Sequence, residues 1–173
     1  MNYKIKLSKI KAFVFDVDGV LTDGGVMSTT EGDLVRIFDS KDGLGMRMAL
    51  MNGYPVGIIT GGNSPSIENR FKIFNVEDLY MGARNKIPDF MHFCNKYGLK
   101  PDEVAYIGDD LPDIPVLKIC GLAVCPSDAV VEVKEVCEYI SAHKGGCGCA
   151  RELIEQVLKI QDKWNFDVNV YSS

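Results

Sequence analysis

The chain has 173 residues, 46% of them hydrophobic, and 24 acidic against 19 basic side chains leave a formal charge of −5. That balance supplies no basic surface for a nucleic-acid backbone, and no apolar run nears the ~20 residues that cross a bilayer. No signal-peptide core follows the basic "MNYKIKLSKI" before Asp16 interrupts, so a cytoplasmic chain with one domain over 1–173 is expected. Six irregularly spaced cysteines beside an ample core read as reduced thiols, with Cys120 and Cys125 as small core residues.

In chain order, "KAFVFDV" is a strand with almost no polar interruption, and "GVMSTTEGDLVRIFDS" is a hairpin over 26–38 turning at "TTEGD". "GLGMRMALMNG" is a helix with Leu44, Met48 and Met51 near one face, stopping at Asn52-Gly53. The strand "YPVGIITGG" follows, then a helix opened by Ser64-Pro65 and a short strand in "NVEDLYMG". "KIPDFMHFCNKYG" is a helix closed by Gly98, and "PDEVAYIGDD" is a second strand that runs into carboxylates. A helix-like "PDIPVLKICG" leads to the strand "LAVCP", and "AVVEVKEVCEYI" reads as a short strand or loop turning into a helix. "ARELIEQVLKIQDKW" is an amphipathic helix with Leu153, Val157 and Ile160 or Trp164 inward, and the last nine residues are a tail. Unalternating strands separated by helices predict an α/β, Rossmann-like, three-layer fold: a parallel sheet with helices on both faces and a small hairpin insert.

In such sheets the ligand site lies beyond the carboxyl ends of the strands. Asp16 and Asp18 follow the first strand, Thr60-Gly61 the second, and Gly108-Asp109-Asp110, with Asp113 beyond, the fourth. A single Asp there is an ordinary helix cap or turn residue. So many carboxylates at one edge repel one another unless a cation sits among them, and oxygen-only donors point to Mg²⁺. No G-x-G-x-x-G follows the first strand, which disfavours dinucleotide binding.

These residues carry a resemblance. "DVDGVLTDG", "TGG", Lys86 and "GDDLPD" resemble, in order, the four motifs of the haloacid dehalogenase-like phosphatases. "KDGLG", "GLAVCPSDA" and "GGCGCARE" further resemble the capless phosphatases of 3-deoxy-D-manno-octulosonate 8-phosphate, a group similar to those of nine-carbon, sialic-acid-type keto-sugar 9-phosphates. The resemblance implies Asp16 as nucleophile, Asp18 as general acid and then base, and Mg²⁺ held by Asp16, the Asp18 carbonyl and Asp109. It implies Thr60, Gly61 and Lys86 around the phosphoryl group. Asp110 and Asp113 hold metal-bound water, orient Lys86 or cap the following turn. It also implies a homotetramer whose subunits cap one another, with Arg151 reaching a neighbour's site and Val26, Val35, Ile37 and Phe38 of the hairpin pairing between copies.

Two features depart from or fall outside that pattern. The octulosonate group has Arg, and the nine-carbon group often Glu, where this chain has Gly62; Asn63 and Arg70 are the candidates to compensate. Cys147 and Cys149 beside His143 look like a metal half-site, but zinc wants four ligands in closed geometry and only Cys137 remains to complete one. The neighbouring glycines read instead as a flexible or tightly turned entry to the last helix. The favoured function, which rests on the resemblance, is a Mg²⁺-dependent phosphatase of 3-deoxy-D-manno-octulosonate 8-phosphate, with no nucleic-acid or membrane partner. A nine-carbon substrate, a mutase (which would need a cap to exclude water), a nucleotidase and a non-catalytic Mg²⁺-binding domain are the alternatives.

Overall fold

The computed structural model of the protein describes residues 3–165; the expected tail over 165–173 lies outside them except for Asn165. Six strands form one sheet: β1 (Ala12–Phe15), β4 (Val56–Ile59), β5 (Asp78–Tyr80), β6 (Val104–Ile107), β7 (Leu122–Cys125) and β8 (Tyr139–Ile140). Their order is β5-β4-β1-β6-β7-β8 and every pair is parallel. The chain builds outward from β1 to one side and then returns to its other side, so β1 lies at the switch point where open sheets bind ligands.

Pleating divides the strand residues between two cores. Phe13 and Phe15 face a layer made by α1 (Tyr3–Leu7), α2 (Ser40–Met51), α3 (Pro65–Ile73) and α7 (Cys149–Ile160). Ala12 and Val14 face α4 (Ile87–Lys96), α5 (Ile114–Leu117) and α6 (Val131–Val136). Both faces are covered, which is why the strands are unalternating. Truncating fully buried Phe13 or Phe15 to alanine would cost about 3–5 kcal/mol.

Local sequence explains where the elements start and stop. Asp39 caps α2 by accepting from the N–H groups of Lys41 (2.6 Å) and Asp42 (3.1 Å), so the helix begins at Ser40 rather than Gly43. Its buried face is Asp42, Gly45, Met46 and Ala49 with Met48, while Met51 is exposed; the expected Leu44–Met48–Met51 face is corrected in that respect. Gly45 lets α2 approach α7 closely: a Cβ there would stand 3.3 Å from the Arg151 Cα. Asp42 Oδ1 accepts from the Arg151 N–H (2.8 Å) while Oδ2 is buried without a partner among the described residues. Burial pushes the Asp42 carboxyl up to about 6.

Three further expectations change. "AVVEVKEVCEYI" is helix first and strand second, α6 then β8. On α7 the inward residues are Leu153, Ile154, Val157 and Leu158; Ile160 is exposed and Trp164 packs against the core. The hairpin forms from β2 (Met27–Ser28) and β3 (Leu34–Val35), but Phe38 belongs to its own chain's core, edge-on to Phe71 at 5.7 Å. Met27 (69% exposed) and Ile37 (83%), with Val26, Leu34 and Val35, make up its outer surface.

Candidate active site

β1 ends in a tight turn: the N–H groups of Val20, Leu21 and Thr22 all reach the carbonyl of Val17. Gly19, at φ +84°, is obligatory there, because a Cβ would stand 2.0 Å from Asp109 Oδ2. The back of this turn is covered by another backbone. A Cβ on Gly145 would fall 1.9 Å from the Gly19 carbonyl, Gly146 N–H donates to Val20 O (2.9 Å), and the Cys149 thiol donates to the same oxygen (3.2 Å). Gly145 and Gly146 of "KGGCGC" thus serve close approach, whereas Gly148 has open space around it and takes a φ of +100° at the entry to α7.

Asp16 Oδ1 accepts from Val17 N–H (2.7 Å) and pairs with Lys86 Nζ at 2.9 Å. Lys86 also donates to Asp113 Oδ1 (2.7 Å), which takes the Tyr106 hydroxyl as well (2.6 Å). Asp113 Oδ2 accepts from the N–H groups of Asp109 (3.0 Å) and Asp110 (3.3 Å). The buried Asp113 is therefore committed to holding Lys86 and the turn after β6, and Asp110 caps that turn through Leu111 N–H (2.7 Å).

Thr60 is buried, and its Oγ1 accepts from Gly62 N–H (3.0 Å), which leaves the hydroxyl proton for another acceptor. Asp18 is gripped by Arg36 from the hairpin, Nε to Oδ1 at 2.6 Å and Nη2 to Oδ2 at 3.0 Å. Arg36 is only 8% exposed and also donates to Ser64 Oγ (2.9 Å) and Leu34 O (2.8 Å). Asp16, Asp18, Thr60, Gly61, Lys86, Asp109, Asp110 and Asp113 all line one cavity of about 450 Å³ at the carboxyl edge of the sheet.

Electrostatically the floor is strained. Burial and the Asp113 charge raise the Asp16 carboxyl well above its usual range against the pull of Lys86. Burial, with Asp113 and Asp110, raises Asp109 to about 7. Burial lowers the Lys86 ammonium, but Asp16 and Asp113 more than reverse it, so Lys86 stays charged. Carboxylate oxygens of Asp16, Asp109 and Asp113 lie within 4.8 Å of one another, and Asp109 Oδ1 is buried without a hydrogen-bond partner among the described residues. An all-oxygen donor set with an orphaned lone pair suits a hard divalent cation. Since Asp113 is consumed by hydrogen bonds, Asp16 and Asp109 are the side chains free to ligate it.

Comparison with known proteins fits this geometry. A sequence model of the haloacid dehalogenase-like hydrolases matches residues 74–153. The chain is 36% identical over 158 residues to the 3-deoxy-D-manno-octulosonate 8-phosphate phosphatase of Escherichia coli K12, covering 91% of this chain and 84% of that one. This chain is a haloacid dehalogenase-like hydrolase. The hydrolase also superposes on the Moraxella catarrhalis 3-deoxy-D-manno-octulosonate 8-phosphate phosphatase solved with magnesium, phosphate and the sugar (TM-score 0.90, 33% identity, 95% of both chains). It superposes likewise on the cobalt-bound Haemophilus influenzae deoxy-D-mannose-octulosonate 8-phosphate phosphatase (TM-score 0.88, 30% identity, 97% of this chain and 96% of that one). The hydrolase is a phosphomonoesterase, and its acidic cluster is a divalent-metal site.

Some sequence-picked residues lie elsewhere. Arg151 is on α7, 3.4 Å from Glu155 and over the Trp164 ring, outside its own chain's catalytic cavity. Arg70 stacks on Phe74 and Phe38, and Asn63 is exposed outside the cavity lining, so neither takes the place beside Gly62. Cys147 is exposed while Cys149 is buried against Val20, and the described residues hold no Cys/His metal cluster. Sequence reading missed Arg36, Tyr106 and Arg84, the last of which lines the cavity. The signals were a charge inside the alternation "LVRIF" and a lone hydroxyl inside "VAYI".

Proposed function

We propose that the hydrolase removes the phosphate from 3-deoxy-D-manno-octulosonate 8-phosphate with Mg²⁺ as its metal. The observation that supports this most is the gathering of Asp16, Asp18, Thr60, Lys86 and Asp109 around one cavity in a chain 36% identical to an enzyme of that name. Asp16 and Asp109, with the Asp18 carbonyl, would hold the ion. When bound it supplies charge neutralisation for the cluster and the phosphoryl oxygens.

Asp16 Oδ1 is held by Lys86 and Val17 N–H, so attack on phosphorus falls to Oδ2. The new bond is Asp16 Oδ2–P and the broken one joins phosphorus to the sugar oxygen, which takes a proton from Asp18. Asp18 then draws a proton from water as it attacks the aspartyl phosphate, releasing phosphate and restoring Asp16. Lys86 and the Thr60 hydroxyl stabilise the equatorial oxygens in both steps. Asp113 and Tyr106 keep Lys86 in place, and Arg36 orients Asp18.

Among the described residues no cap covers the cavity at the sheet edge, and the hairpin exposes an apolar surface. A homotetramer in which hairpins pair and cover neighbouring sites fits both facts, with Arg151 offered to the adjoining site. Among the described residues no helix is long and apolar enough to cross a membrane; the cytoplasm is the proposed place of the reaction.

The test is steady-state kcat/KM for the eight-carbon and nine-carbon acidic sugar phosphates, hexose phosphates and nucleotides, with and without EDTA. The eight-carbon ester should lead, EDTA should abolish turnover and Mg²⁺ restore it. A lead of 100-fold or more for the nine-carbon ester, about 2.7 kcal/mol in transition-state binding, would reject the substrate assignment.

A further inference from the structure

The cavity is lined by five carboxylates, yet its substrate is an anion. Its two lining cations, Lys86 and Arg84, stand two residues apart on the segment that leads from β5 into α4. They are in opposite situations. Lys86 is buried and tied to Asp16 and Asp113 at the floor. Arg84 is exposed at the rim and forms no ion pair with a described residue.

Its backbone is nevertheless well fixed. Gly82 N–H donates to Gly62 O and Ala83 N–H to Thr60 O, both at 3.0 Å, which stitches the segment to the phosphate-binding turn. Asn85 turns its side chain to the α4 start, accepting from Ile87 N–H at 3.2 Å. The nearby Arg36 is spent on Asp18 and Ser64. Gly62 contributes no side chain, and a Cβ there would meet Ile67 Cδ1 at 2.8 Å and Arg36 Nη2 at 3.0 Å, so both side chains would have to shift to admit one. Arg84 is left as the uncommitted guanidinium on this side of the cavity.

We infer that Arg84 is a specificity-determining residue that binds a second anionic group, a carboxylate, on the alcohol portion of the phosphate ester. The inference rests on the acidic-sugar reading above and adds the residue that reads the acid. A guanidinium presents a fork matched to a carboxylate. From the rim it meets the leaving-group end of a substrate whose phosphoryl end is held at the floor by Lys86. It also offsets the repulsion that five carboxylates direct at a second negative charge.

The experiment compares kcat/KM for 3-deoxy-D-manno-octulosonate 8-phosphate with that for glucose 6-phosphate, which lacks a carboxylate, in the parent, Arg84→Met and Arg84→Lys. The acid-to-neutral ratio should fall about 10- to 100-fold in Arg84→Met, the range of a charge-assisted hydrogen bond, through KM more than kcat. Arg84→Lys should fall between. A high parental ratio that stays unchanged in Arg84→Met, or equal losses on both esters, overturns the role of Arg84 alone. A parental ratio near one overturns the acidic-substrate reading and this inference together.

Discussion

The floor of the cavity and the hairpin solve the burial of charge in opposite ways. At the floor, Asp16, Lys86 and Asp113 lie buried, and Asp113 spends both oxygens on Lys86, Tyr106 and two backbone N–H groups. The hairpin buries one guanidinium, Arg36, and turns Met27, Val35 and Ile37 outward. The floor is organised by side chains that pair with one another, whereas the hairpin's inner side serves Asp18 and its outer side leaves apolar residues exposed. Chemistry and coverage are thus assigned to different segments.

The sharpest break in the comparison is Asp16→Asn. On the proposed mechanism this removes the nucleophile and should lower kcat by about 10⁴-fold or more in a folded protein; single-turnover trapping should find no phosphate on the variant and find it on Asp16 in the parent. Next comes Arg36→Met, which frees Asp18 without touching the floor. We expect kcat to fall about 10- to 100-fold on a sugar phosphate and much less on p-nitrophenyl phosphate, whose leaving group needs little protonation. Equal losses on the two esters would reject the positioning of Asp18 by Arg36.

The hairpin's outer side is probed by Ile37→Lys. If the proposed tetramer forms, sedimentation should show a smaller species in the variant than in the parent, with a loss of about tenfold or less on the sugar phosphate, since the floor is intact. An active monomeric parent at assay concentration rejects the shared-site arrangement.

The smallest effect lies outside the cavity lining. Asp42 has its pKa raised from 3.8 to about 6, so the folded chain holds a proton that the unfolded chain releases. The stability this gives is full below about pH 3.8 and is lost as pH rises through about 6. Asp42→Asn keeps an oxygen for the Arg151 N–H and removes the titration. Its melting temperature should gain on the parent's between pH 4 and 6, by the equivalent of about 1–2 kcal/mol; a parallel pair of curves contradicts this.

Much of the fold was legible because a parallel sheet writes itself plainly. Four-residue apolar strands such as "AFVF" and "VAYI" are buried on both faces, and Asp, Thr and Gly at their ends mark the edge where ligands meet. The α2 face was misread because Asp42 and Gly45 are inward for reasons of capping and close approach, which hydropathy does not encode. The order of α6 and β8 was reversed because "VVEVKEV" is β-branched, and tertiary packing overrode that propensity. The strand-end site residues were legible from their places, and Lys86 from the motif order. Arg36 and Arg84 were not, since each sits in a loop or hairpin whose position over the cavity exists only in three dimensions.

The backing of the Gly19 turn by Gly145 and Gly146 also orders events in time. As the polypeptide leaves the ribosome, β1 and its two aspartates emerge first, while the glycines that press against them follow more than a hundred residues later. Contacts so distant along the chain form late in folding. A nascent chain that ends before residue 145 lacks the backbone that covers Gly19, Val20 and Thr22. Completion of the turn that follows Asp16 and Asp18 is therefore deferred until Gly145 and Gly146 have been made.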